Sequence, residues 1–68
     1  MTIETIINLI KESKALYLVH VEQARTRLKK RMDDMTSHQI STEMLYIQDM
    51  ESRAYAMQLL LEEIEELQ

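Results

Sequence analysis

The apolar residues of the first half of the chain recur in steps of three and four. Ile7, Ile10, Tyr17, Val21, Ala24, Leu28 and Met35 form the series, with Lys14 and Arg31 filling its gaps. That spacing returns to one face of an α-helix, whereas a strand needs steps of two. It predicts a helix over 2–35. Thr2 is placed to cap its start. Glu4 in the first turn, and Lys29, Lys30 and Arg31 near the end, carry the signs a helix dipole favours. The second half is cleaner still. Ile47, Met50, Ala54, Met57, Leu61 and Ile64 follow an unbroken three-four alternation, flanked by good helix formers, and predict a second helix over 40–67.

Between the two the apolar phase slips, because Met35 to Ile40 is a step of five. Asp34, Thr36 and Ser37 have side chains that compete for backbone hydrogen bonds and favour caps and turns. A turn over 36–39 follows. Thr36 with Gln39 has the spacing of a capping box, and Ser41 is a rival cap. No residue forbids a single continuous helix, but ordinary helix lengths favour two shorter ones. The fold expected is all-α: one domain over 1–68, a two-helix antiparallel hairpin resembling a coiled coil. With the turn centred between Ser37 and His38, Leu28 meets Ile47, Val21 meets Ala54 and Lys14 meets Leu61. The acidic stretch Glu62–Glu66 then lies beside Lys11, Lys14 and the start of the first helix.

Composition narrows the function. A chain of 68 residues buries only about 60% of its unfolded surface. Cysteine is absent, so neither disulfides nor thiolate metal sites are available. Glycine and proline are absent too, which removes phosphate-cradling loops and argues against a many-stranded β fold. The longest apolar run is five residues, Ala15 to Val19, too short for a membrane span or a signal-peptide core. A cytoplasmic protein is expected. The net charge of −4 does not suit a nucleic-acid coat.

The hairpin leaves apolar surface over. Ala15–Val19 runs alongside Ala56–Leu60, and both stretches are apolar on nearly every side, while one seam covers one face of each helix. A second face built from Leu16, Val19, Leu59 and Leu60 remains. Tyr46, Tyr17 and Tyr55 read as amphipathic interface residues. Patches of this kind mark interfaces, and two helices alone make a thin core. A helical partner, either a second copy closing a four-helix bundle or another protein, is therefore expected on Leu16, Val19, Tyr46, Leu59 and Leu60. Internal methionines suit an adaptable contact surface, although Met50 and Met57 fall on the seam itself.

Candidate chemistry is sparse. His20 and His38 are 18 residues apart, and a zinc site needs three or four converging ligands. Asp34 with His38 supplies two. Arg25 to Arg31 holds five cations in seven residues, the composition of a phosphate-gripping stretch. No aromatic residue interrupts it for base stacking, and Asp33, Asp34, Asp49 and Glu51 lie near it in the hairpin. No carboxylate pair falls in an expected pocket, and Ser13, Ser37, Ser41 and Ser52 lack a nucleophile motif. No catalytic residue, metal or cofactor is expected, and the chain reads as a non-enzyme.

Over Val21–Glu66 the chain resembles the small E-type cytoplasmic co-chaperones of bacterial type III secretion needles, the YscE-like proteins. The resemblance is carried by Leu28-Lys29-Lys30 late in the first helix, a short polar turn, and an amphipathic second helix. In that helix Glu51-Ser52 is followed by Ala54, Ala56 and an aliphatic run to Ile64. The opening Met1-Thr2 also fits. The family often has glycine in the turn, where this chain has Thr36–Gln39. The resemblance implies a hairpin that binds a larger tetratricopeptide-like G-type chaperone. Together they would keep a needle subunit monomeric and export-competent in the bacterial cytoplasm. The residues alone leave two other readings open: a homodimeric helical protein that regulates or inhibits a signalling enzyme, and a basic-region nucleic-acid binder using Arg25 to Arg31.

Overall fold

The computed structural model describes residues 2–68 and consists of two long helices folded back on each other. Helix α1 spans Ile3–Arg31, a single 3-10 turn spans Met32–Asp34, and helix α2 spans Ser37–Leu67. The hairpin is a rod of 50 × 15 × 14 Å between Cα extremes.

Each helix begins as its sequence dictates. The Thr2 hydroxyl accepts a hydrogen bond from the Thr5 amide at 3.1 Å, which satisfies one of the four amides a helix start leaves open. At α2 the capping box is complete. The Gln39 amide donates to Thr36 Oγ1 at 3.2 Å, and the Thr36 amide donates to Gln39 Oε1 at 2.9 Å. Ser41, the rival cap, lies inside the helix.

The boundaries differ from those expected. Helix α1 ends at Arg31 rather than at 35, and α2 starts at Ser37 rather than at 40, so the turn sits earlier than 36–39. A continuous helix does not form, because the chain leaves the helical region at two points. Arg31 shifts to φ −118°, ψ 0°, and Met35 and Thr36 are extended at ψ 144° and 162°. Between them the 3-10 turn closes with the Met35 amide on the Met32 carbonyl at 3.2 Å. No described residue has a positive φ. The reversal therefore needs no glycine, which explains how this chain turns without one.

The seam follows the expected stripes. Val21, Ala24, Ile47 and Met50 form a buried cluster, with Tyr17 and Leu28 packed against it. Ala24 is 0% exposed and Val21 4%. Ala54 and Leu61 continue the buried line of α2 towards the open end, flanked by half-buried Ile7, Ile10, Met57 and Ile64. Ala24, fully enclosed in the buried cluster, has the small side chain that closely packed helices need. No helix is long and apolar enough to cross a membrane among the described residues.

Candidate functional site: an open-end apolar face

Cross-helix polar contacts show which surfaces of α1 and α2 share a side of the hairpin. On one broad side Lys14 Nζ donates to Gln58 Oε1 at 2.7 Å and Arg25 pairs with Glu51 at 3.1 Å. On the opposite side Arg27 pairs with Glu43 at 2.9 Å, and the Arg53 guanidinium lies 5.9 Å from the centre of the Tyr17 ring. Arg53 also pairs with Asp49 at 3.3 Å. The Asp49 charge first, and contact with Tyr17 second, hold the Arg53 guanidinium above its already high ordinary pKa, so it stays a cation.

Helical spacing places the remaining side chains on these two sides, since seven residues make about two turns and eleven about three. Tyr46, Leu60 and Leu67 lie seven residues apart in series with Arg53, and so share its side. Leu16 stands eleven residues before Arg27, and Leu9 seven before Leu16, so both share the side of Arg27. Ile6 lies on the same side at the border of the seam. The Arg27–Arg53 side is thus strongly apolar over its open half, through Ile6, Leu9, Leu16, Leu60 and Leu67. All five are exposed, Leu16 by 56% and Leu60 by 42%. The Lys14–Gln58 side carries Lys11, Glu22, Lys29, Gln48, Glu51 and Glu62, with Leu18, Met44 and Tyr55 among them.

The five residues expected to bind a partner are all exposed, but they do not form one patch. Leu16, Tyr46 and Leu60 share the Arg27–Arg53 side, with Tyr46 towards the turn. Val19 and Leu59 point away from the seam on the outer backs of their helices, about 60° and 100° around from Leu16 and Leu60 respectively. Ile6, Leu9 and Leu67 belong to the face and were not part of the expected set. Their signal was present in the seven-residue spacings Leu9–Leu16 and Leu60–Leu67.

The acidic tail also differs from expectation. No described acid of the tail forms an ion pair with Lys11 or Lys14. Lys14 meets the Gln58 side-chain carbonyl instead, and the Gln58 amide donates to Glu62 at 3.3 Å. An uncharged amide thus links the lysine to the tail.

At the turn, Arg27, Arg31, Asp34, His38 and Thr42 rim a shallow hollow of about 490 Å³. Arg27 is already paired with Glu43, and Asp34 adds a second acid, so the hollow has no uniform charge. Across the molecule Leu28, Met44, Leu45 and Ile47 line a broader, more open groove. Of the basic run Arg25 to Arg31, two arginines are drawn into cross-helix pairs with Glu51 and Glu43. Among the described residues no three histidine, aspartate or glutamate side chains converge as a metal site would require.

No family profile, curated protein or solved structure matches the chain.

Proposed function

We propose that the chain is a non-enzymatic interaction protein that works by laying its open-end apolar face on a helical partner. The observation that carries this reading is the exposed row Leu9, Leu16, Leu60 and Leu67 on one side of a hairpin whose seam is already filled. An apolar face of this kind fits a groove between helices, the mode by which helical repeats and helix-in-groove receptors take their ligands.

The resemblance described above gives the partner a chemical class. In this reading the hairpin is a co-chaperone in the bacterial cytoplasm that stabilises a tetratricopeptide-like chaperone. The pair would hold a type III secretion needle subunit monomeric and export-competent. A glycine-free turn is compatible with it, since the hairpin closes through a 3-10 turn and two extended residues.

The test is co-purification from native lysate. Tagged wild-type chain is expected to carry a tetratricopeptide-like protein and a small helical subunit, and a variant with Leu16→Glu and Leu60→Glu is expected to carry neither while remaining helical by circular dichroism. Retention of the partner by the folded double variant would reject the face. Recovery of a signalling enzyme in its place would favour the regulatory alternative.

A further inference from the structure

We propose that in the free protein the open-end apolar face is closed by a second copy of the chain, with the open ends of the two hairpins together. The inference rests on the docking face argued above, but not on the identity of any partner.

The first argument is area. A compact monomer of 8.1 kDa exposes about 4,500 Å², while this chain exposes 5508 Å². The excess of about 1,000 Å² is comparable to the roughly 800 Å² that a standard interface removes from each partner. A rod only two helices thick has this surplus because it has one layer, and a second layer removes it.

The second argument is the match of levels along the rod. Cross-helix contacts join Tyr17 to Arg53, Arg27 to Glu43, Lys14 to Gln58 and Arg25 to Glu51. Residues at one level of the hairpin therefore have numbers adding to about 70–76. Two hairpins stacked on this face can be related by a two-fold axis in two ways. With the axis along the rod, α1 of one copy lies over α2 of the other and every level is kept. Ile6 then meets the second copy's Leu67, and Leu16 meets its Leu60. Nearer the turn, Arg27 comes to the level of Tyr46 and Asp49, a carboxylate and a ring face that both favour a guanidinium.

With the axis across the middle of the rod, so that the two copies overlap along their whole length, the open half of one copy covers the turn half of the other. Leu9 would then be set over the level of Arg27, where apolar area would desolvate charge, and Arg53 would come to the level of the second copy's Arg53, where like charges would meet. Apolar-on-apolar contact selects the first arrangement, a parallel pair of hairpins forming a four-helix bundle. A helical partner that uses the same face must displace the second copy, so the two occupants exclude each other.

The absence of cysteine makes the orientation directly measurable. Light scattering on the isolated chain is expected to give twice the 8.1 kDa chain mass. Spin labels at single sites, Glu4→Cys near the open end and Asp33→Cys at the turn, are both on exposed positions. Helices in contact lie about 8–10 Å apart, so with label linkers each site should give pair distances of about 20–35 Å. A monomer mass would overturn the proposal. So would a dimer whose labels at both sites lie as far apart as the 50 Å length of the rod. A partner recovered from lysate alongside a monomeric free chain would overturn the dimer and leave the proposed function standing.

Discussion

Thr36 shows how a single side chain sets where a helix begins. Its hydroxyl and the Gln39 amide group satisfy two backbone amides that the start of α2 would otherwise leave open. Replacing it by alanine is expected to lower stability by about 1 kcal/mol, measured by urea unfolding, while Thr36→Ser should largely preserve it. Ala24 acts by being small. It is fully enclosed between the helices, so Ala24→Leu should push them apart and destabilise by about 1–3 kcal/mol. The same melts would show it as a lower midpoint. Both residues were legible in the sequence, Thr36 through its capping spacing and Ala24 through its place in the apolar stripe. The meeting of Arg53 with Tyr17, and of Lys14 with Gln58, was not. Each depends on which residues of two distant segments share a level, and a shift of one helical turn changes every such partner.

At the scale of the elements, the periodicity revealed both helices, but the register came out differently in detail. Lys14 was expected against Leu61 and is instead bonded to Gln58. That pair lies about one helical turn from the expected one, while Arg25 with Glu51, and Leu28 packed against the cluster that holds Ile47, keep the expected level to within a residue. The local sequence marks the end of α1 only through the cations Lys29, Lys30 and Arg31, since Met32, Asp33 and Asp34 are all tolerated in helices yet form a 3-10 turn here. The cross-helix ion pairs fix orientation more than they stabilise. Arg25 and Glu51 are both about half exposed, whereas Glu43 is only 23% exposed beside Arg27. Arg25→Ala should therefore change stability by less than about 1 kcal/mol. Arg27→Ala should cost more, because it leaves a partly buried carboxylate without its partner. Urea unfolding of the two variants at low and high salt would show the order, and the opposite order would contradict this account of Glu43.

On the scale of the whole molecule, the surplus apolar surface was legible as an amount before it was legible as a place. The runs Ala15–Val19 and Ala56–Leu60 announce more apolar residues than one seam can hold. Which of them form a face depends on how the two helices are turned about their axes. The structure unites Leu16 with Leu60 and sets Val19 and Leu59 on the outer backs. It also extends the face to Ile6, Leu9 and Leu67, where the start of α1 and the end of α2 lie together.

The claim that this face closes on a second copy of the chain is tested most directly by the concentration dependence of thermal unfolding. A protein whose folded form associates melts higher as its concentration rises. Three chains are compared: wild type, Leu16→Glu with Leu60→Glu, and Met44→Glu with Leu45→Glu as a control away from the open-end face. The midpoints of the wild type and the control should climb with concentration, and that of the Leu16 and Leu60 variant should stay constant. Midpoints that are independent of concentration in all three, or that lose their dependence only in the Met44 and Leu45 variant, would contradict the account.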